Sequence, residues 1–276
     1  MVLFKKAAVL ISILLLTYTA FAFSALDEGL SGKFRSMNFE VYAPDKDKAK
    51  KVCLISEKYY KELLKRLRYG GILDKKCRIY VYSDQKNYLT SLQAAGINVP
   101  DWSAGCHLPR RYYSYGYPVV CGYVDSYFIS AILPHELTHA IFAEFVYGSM
   151  IEEKRVRPMP LWIDEGMAVY MQKKSNYKYV CKNALKEDTF MSLVELINMS
   201  NYPSADNELS LFYAQSPSLV EYLIDTYGGS KFLSLSKKSV FKKENMQDLL
   251  KSVYHAKIKN IDELENDWIN YIKENY

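Results

Sequence analysis

Two different spacings of hydrophobic positions divide the chain near residue 129. In the first part, segments that alternate between polar and apolar or aromatic side chains predict strands, and one long apolar repeat close to 3.6 residues predicts a helix. Gly70 and Gly71 are predicted to end that helix. The predicted elements of this part are strands over 37–42, 77–82 and 117–124 and helices over 45–68 and 87–95. Residues 103–122 are otherwise rich in Tyr, Gly and Pro, which is typical of loops and short strands.

From Ser130 onward the pattern is helical almost to the end, with glycines and prolines between the segments. The predicted helices are 131–147, 161–174, 190–198, 210–227, 230–238, 245–253 and 261–274. A mixed N-terminal lobe, approximately residues 36–128, is therefore followed by a helical lobe, residues 129–276. This order predicts the α+β class.

The first 24 residues have the order of a secretory signal peptide. Lys5 and Lys6 form a basic start, Ala7–Leu16 is an unbroken apolar run, and small residues follow where cleavage is expected, at Ala22–Ala25. The alternative is an uncleaved anchor, although the apolar stretch is short for a membrane span. Either case predicts an exported protein, periplasmic or secreted, whose only membrane contact is this N-terminal segment.

The composition is that of an ordinary globular chain. Hydrophobic residues make up 49% of the 276 positions, and the net charge of +5 is spread without a dense basic stripe. Because nucleic-acid binding proteins carry such a stripe or a known motif, no nucleic-acid partner is predicted. The sequence leaves the oligomeric state open.

The five cysteines include no C-x-x-C pair, so a structural zinc knuckle is not predicted. An odd number leaves at least one thiol unpaired in an oxidising compartment. Cys106 and Cys121 flank a predicted hairpin, and we expect a disulfide between them. The alternative is that most of the cysteines are small buried hydrophobic residues.

Residues 135–139 read HELTH, the strongest chemical pattern in the chain. His135 and His139 are four residues apart on a predicted helix, so both side chains lie on one face and can bind a single tetrahedral ion. Glu136 lies about 100° further round the helix and can act on a water molecule without being a ligand. The alternative is two surface histidines on an ordinary helix, because this short pattern also occurs by chance.

A catalytic metal site needs a third protein ligand and one open position. Phe142 and Phe145 stand where a metzincin has its glycine and third histidine, which excludes that class. Glu165 lies early in a later predicted helix, on the same face as Leu161 and Ala168, where a metal would explain a carboxylate among apolar side chains. The alternatives are an exposed acid at a helix N-terminus and the neighbouring Asp164.

HELTHA followed by PLWIDEGMAVY at residues 160–170 resembles the peptidase MA-like gluzincins, relatives of thermolysin and aminopeptidase N. The resemblance implies a zincin-like fold with the active-site cleft between the two lobes, in a single peptidase domain over residues 25–276. It also implies that Glu165 is the third ligand of Zn²⁺. Asp164 stands where the family usually has Asn. Gly166 is expected to let its helix approach a neighbouring helix closely.

The resemblance continues more weakly over residues 212–232. In aminopeptidase-N-like relatives this helix begins with a tyrosine that donates a hydrogen bond to the tetrahedral intermediate, and Tyr213 matches it. The alternative is a core tyrosine, one of 25. The segment that holds a free amino terminus in those relatives is missing, so exopeptidase specificity does not carry over. Val169 replaces the carboxylate that orients a zinc histidine in thermolysin, so another group must do this.

Together these residues predict an exported zinc-dependent peptidase acting on a peptide or protein substrate. Zn²⁺ lowers the pKa of a water molecule toward ~7, and Glu136 acts as the general base. The metal and Tyr213 stabilise the oxyanion. The alternatives are a non-catalytic exported zinc-binding protein on the same fold and an envelope interaction protein without metal.

Overall fold

A computed structural model describes residues 25–109, 116–125, 127–150, 156–172, 175–255 and 258–276. The predicted signal peptide lies outside these residues, as do residues 110–115 of the tyrosine-rich segment before the third predicted strand. Within the described ranges, no helix is both long enough and apolar enough to cross a membrane.

The described part of the N-terminal region forms one five-stranded mixed sheet. Its strands are β1 (Gly32–Arg35), β2 (Phe39–Ala43), β3 (Cys77–Tyr82), β4 (Gly105–Leu108) and β5 (Val119–Tyr123). They are arranged in the order β1-β2-β3-β5-β4. The three central strands are parallel, whereas β1 and β4 are antiparallel to their neighbours and form the two edges.

Helices dominate the remainder of the described chain. They are α1 (Lys46–Leu67), α2 (Gln85–Ala94), α3 (Leu133–Tyr147), α4 (Leu161–Tyr170), α5 (Tyr177–Lys186), α6 (Leu193–Asn198), α7 (Asp206–Tyr227), α8 (Gly229–Phe241), α9 (Met246–Tyr254) and α10 (Ile261–Asn275). A π-helical turn, Phe128–Ile132, leads directly into α3. The α+β class predicted from the sequence is confirmed.

The sheet has a core on each face. One face packs against α1 and α3, where Val41, Ile79 and Val120 join the main apolar cluster of the helical region. The opposite face holds a smaller, tyrosine-rich cluster under α2. In it the hydroxyl of Tyr82 donates a hydrogen bond of 2.7 Å to the carbonyl oxygen of Leu26, which is fully buried.

Local signals account for both boundaries of α1. The Asp45 side chain accepts a hydrogen bond from the backbone N–H of Lys48 at 2.8 Å and so caps the start of α1. The prediction that Gly70 and Gly71 end this helix is wrong, because α1 ends earlier, at Leu67. Its C-cap is Arg68, a non-glycine residue in the left-handed conformation with φ of 47°. The N–H of Arg68 closes the last turn on the carbonyl oxygen of Leu64.

The sequence pattern did not predict two elements, β1 and α5. β1 has one large apolar residue, Phe34, among polar neighbours. Such a composition is possible because β1 is an edge strand and pairs with only one other strand. α5 buries only Tyr177, Cys181 and Ala184, a narrow stripe among lysines and other polar residues. Both elements take their stability from packing against neighbours that a local pattern does not contain.

The close helix contact expected at Gly166 is confirmed. A side chain at this position would place its Cβ 2.8 Å from the carbonyl oxygen of Ser216 and 2.9 Å from a methyl group of Val220. Both residues belong to α7. The backbone of α4, which carries Glu165, therefore rests directly on the backbone of α7.

Candidate metal centre

The helix that carries HELTH begins inside a wider turn. Pro134 has no N–H to donate, and the preceding N–H of Leu133 bonds to the carbonyl oxygen of Phe128, five residues earlier, as in a π-helix. The hydroxyl of Thr138 donates to the carbonyl oxygen of Pro134 at 2.6 Å. Pro134 thus lies in the first turn of α3, where an N–H would have no partner within the helix.

Three candidate ligand atoms form a triangle. The Nε2 atoms of His135 and His139 are 3.1 Å apart, and Oε2 of Glu165 lies 3.5 Å from the first and 3.7 Å from the second. The equidistant point in the plane of the three atoms lies about 2.0 Å from each, which matches zinc–nitrogen and zinc–oxygen bonds of roughly 2.0–2.2 Å. These residues are the one group of this kind in the described part of the chain.

One carboxylate oxygen of Glu165, the one in this triangle, has no hydrogen-bond partner in the described part of the chain. Oε2 is buried and has no hydrogen-bond partner among the described residues, although a buried charged oxygen is costly to leave unpaired. The other oxygen, Oε1, accepts a hydrogen bond from the hydroxyl of Tyr202. A cation at the centre of the triangle would pair with Oε2, so the donor set fits a divalent metal such as zinc.

Each histidine has a partner for its second ring nitrogen. Nδ1 of His139 lies 2.8 Å from Oδ1 of Asp164, and Nδ1 of His135 lies 3.0 Å from the side-chain amide of Gln172. When Nε2 of each histidine binds a metal, its Nδ1 carries a proton, which Asp164 can accept from His139. The nitrogen Nε2 of Gln172 faces His135, so Gln172 accepts through its oxygen once its amide is turned by 180°. These two residues supply the orientation that the missing carboxylate at Val169 would have given.

The electrostatics of the triangle favour a cation. Burial opposes charge on His139, but the carboxylates of Asp164 and Glu165 outweigh burial and raise its pKa well above the usual value. Burial also opposes ionisation of Glu165, yet the two imidazoles hold its pKa well below the usual range. A proton and a metal therefore compete for the same electron-rich nitrogens.

Glu136 lies beside the triangle and contacts a histidine outside the motif. Its Oε2 is 3.2 Å from Nδ1 of His107 on β4. Burial opposes ionisation of Glu136, but this hydrogen bond and the charge of His135 lower its pKa to about 2. The side chain is therefore a carboxylate at neutral pH and can accept a proton.

A cavity of about 550 Å³ opens onto these groups. His135, Glu136 and Tyr213 line it, together with aromatic, small and amide side chains. Tyr213 is half-buried, and its ring stacks on that of Tyr202 with 6.2 Å between centroids. Burial and the charge of Glu165 raise the pKa of Tyr213, so its phenol stays protonated and can donate a hydrogen bond.

Two facing glycines let β4 approach the start of α3. Gly105 and Gly122 are directly opposite each other on β4 and β5. A Cβ on Gly105 would lie 2.5 Å from a methyl group of Ile132, and one on Gly122 would lie 2.0 Å from the ring of Phe128. The absence of both side chains brings His107 within reach of Glu136.

Sequence reasoning missed His107, Tyr202 and Gln172. Gln172 follows Glu165 by seven residues, two helical turns, and this spacing was a usable signal. His107 and Tyr202 lie in segments without a regular pattern, and only the tertiary fold brings them to the site.

Cys106 and Cys121 occupy directly opposed positions on β4 and β5. Both are free thiols in the structure, as are the other three cysteines. The predicted disulfide between them is therefore not formed in the structure.

Comparison with known proteins supports the resemblance. A search of curated proteins gives no match. The sequence profile described as the Peptidase MA superfamily matches residues 62–274, which include every site residue described above. The chain therefore belongs to the Peptidase MA superfamily.

Proposed function

We propose that the chain is an exported zinc-dependent peptidase that hydrolyses peptide bonds with Glu136 as the general base. The observation that carries this proposal is the buried Oε2 of Glu165, which has no hydrogen-bond partner in the residues that the structure describes and forms a triangle with His135 and His139 that fits a metal ion. The carboxylate of Glu136 lies beside this triangle. Export rests on the signal-like order of the first residues.

His135, His139 and Glu165 would hold the metal. When bound, zinc supplies Lewis-acid chemistry, polarising the substrate carbonyl and making water acidic enough to react near neutral pH. Glu136 accepts a proton from water as the water oxygen attacks the carbonyl carbon, and then donates that proton to the leaving nitrogen. Its low pKa, about 2, keeps it in the base form before the reaction.

The cavity favours a particular kind of substrate. Apart from His135 and Glu136, the described residues that line it carry no acidic or basic side chain, and they include Trp102, Tyr127 and Tyr177. Trp102 is 82% exposed and Tyr127 is 57% exposed, so both aromatic rings are open to contact. We therefore propose extended polypeptides with uncharged side chains next to the cleaved bond as substrates.

The proposal is tested on casein, an unstructured protein, with purified protein of known metal content. We expect near-stoichiometric zinc, casein cleavage that stops with a chelator and returns with zinc, and no cleavage by Glu136→Gln despite retained zinc. Glu187→Gln, which changes an exposed glutamate, is the matched control.

The alternative of a non-catalytic zinc-binding protein predicts the same zinc content without cleavage. Full zinc retention by His139→Ala would contradict the ligand assignment, and wild-type turnover by Glu136→Gln would remove that residue from the mechanism.

A further inference from the structure

His107 contacts the proposed general base from a different part of the fold. It lies on the edge strand β4, 29 residues before Glu136, and its Nδ1 is 3.2 Å from Oε2 of that carboxylate. The His107 side chain is 25% exposed and the Glu136 side chain 13%, so the contact is shielded from most of the solvent. A shielded hydrogen bond to a charged group is stronger than an exposed one.

A second contact fixes the orientation of the His107 ring. It stacks on the ring of His139 with centroids 4.6 Å apart and an angle of 21° between the planes. The strand beneath it is held close by Gly105 and Gly122, as described above. Strand backbone and ring stacking together leave Nδ1 directed at Glu136.

The direction of the hydrogen bond follows from the role proposed for Glu136, because a general base is an unprotonated carboxylate before the reaction. Since Glu136 is a carboxylate, it can only accept, so Nδ1 of His107 carries the proton and donates. The last torsion of a glutamate side chain is soft, and its two oxygens exchange readily unless one is held. A hydrogen bond to Oε2 fixes that torsion and leaves Oε1 to meet the water molecule.

We propose that His107 is a positioning residue that holds Glu136 by one oxygen in the orientation needed for proton transfer. The proposal rests on the peptidase function proposed above. It predicts that removing the Nδ1 donor lowers turnover but leaves substrate binding and the metal unchanged, because misorientation of a base affects the reaction more than the ground state.

The experiment compares four variants. His107→Phe keeps a flat ring without a donor. His107→Asn places an amide nitrogen on Cγ, where Nδ1 is attached, whereas His107→Gln places it one bond further out. His255→Phe removes an exposed histidine outside the cavity and is the control. Each protein is checked for zinc content, thermal stability, and kcat and KM on one fluorogenic peptide that the wild type cleaves.

A binding measurement gives a readout other than activity. A blocked dipeptide hydroxamic acid binds metal through its two oxygens. Its O–H can also donate a hydrogen bond to Glu136 when that carboxylate is correctly oriented. Its Kd is measured by calorimetry with the zinc-loaded proteins. This measurement needs no turnover, so it tests His107 even if the wild type cleaves no peptide, an outcome that would count against the proposed function alone.

For His107→Phe we expect kcat to fall ~10- to 100-fold with KM within about twofold. The hydroxamate should bind ~10-fold more weakly, and zinc should be retained. His107→Asn should recover most of kcat and hydroxamate affinity, and His107→Gln should not. If His107→Phe does not fold, the comparison of His107→Asn with His107→Gln tests the proposal instead.

Three results would overturn the proposal. One is unchanged hydroxamate affinity in His107→Phe or, if that variant unfolds, in His107→Gln. Another is equal behaviour of the Asn and Gln variants. The third is loss of zinc from a folded His107→Phe, which would make His107 a metal ligand.

Discussion

Tyr202 determines which oxygen of Glu165 faces the two histidines. Its hydroxyl donates to Oε1, so Oε2 is the oxygen that lies 3.5 Å from His135 and 3.7 Å from His139. The two residues are 37 positions apart, and Tyr202 lies in the loop between α6 and α7. A residue outside every sequence motif therefore orients the third candidate ligand.

Tyr202→Phe is expected to weaken zinc binding ~10-fold, because partners that orient metal ligands typically contribute 10- to 100-fold to affinity. The measurement is competition for zinc with a chromophoric chelator of known affinity. Tyr179→Phe, which changes a tyrosine that is 68% exposed, is the control. Equal zinc affinity in Tyr202→Phe and wild type would show that the hydrogen bond does not order the ligand.

Tyr213→Phe is expected to lower kcat ~10²–10³-fold at nearly constant KM, with zinc retained. Loss of one hydrogen-bond donor to a developing oxyanion typically has this effect, and a protonated tyrosine lining the cavity can be such a donor. Steady-state kinetics and metal analysis measure it, with Tyr271→Phe on α10 as the control. Wild-type turnover would leave Tyr213 as a packing residue that only supports Tyr202.

Gly105→Ala should move β4 away from α3, because the new methyl group would lie 2.5 Å from Ile132. We expect a loss of about 1–3 kcal/mol in the free energy of unfolding. A lower kcat should accompany it, since the contact between His107 and Glu136 would lengthen. Urea unfolding and kinetics test this against Gly70→Ala, where a methyl group meets nothing within 4 Å. Equal stability of the two variants would contradict the close packing.

Glu40 gives a prediction about pH that does not depend on the metal. Burial opposes its ionisation, but hydrogen bonds from Lys33, Arg35 and Tyr42 outweigh burial and lower its pKa from 4.5 to about 2. A carboxylate with a depressed pKa stabilises the fold above its unfolded-state pKa. That stabilisation is lost as pH falls from about 4.5 to about 2.

Glu40→Gln should therefore lower the free energy of unfolding by about 1–3 kcal/mol at pH 7. The difference from wild type should shrink below pH 4.5 and vanish near pH 2. Urea titrations across this range measure it. Glu62→Gln, which removes an exposed ion pair with Arg66, should change stability little at any pH. A pH-independent effect of Glu40→Gln would contradict the assigned pKa.

The parts of the site that sequence predicted are those encoded by short spacings. His135 and His139 share a helix turn, and Glu165 follows in a recognisable segment, so the sequence contained both the spacing and the resemblance. His107 could not be found in this way, because its contact with Glu136 depends on strand order and on two glycines facing each other. The contact of Tyr202 with Glu165 depends on where an irregular loop lies against α4, which no local periodicity encodes.

The elements of the fold also fall into those that local sequence predicts and those that it does not. The boundaries of α1 follow from its cap and its apolar repeat, and those of β3 from its run of strand-forming residues. The structure has both within a residue of the prediction. β1 and α5 bury few side chains of their own, so their existence depends on the neighbours they pack against.

The contact between Gly166 and Ser216 has a consequence for how quickly metal enters and leaves. Because the backbone of α4 rests on that of α7, the backbone at Glu165 cannot move away from the histidines without separating two packed helices. If the proposed site binds a metal ion, its three ligands would be close to their final positions beforehand, and binding would cost little ordering entropy. Exchange of the metal would then be limited by passage through the cavity and by shedding of the ion's own water, not by opening of the protein.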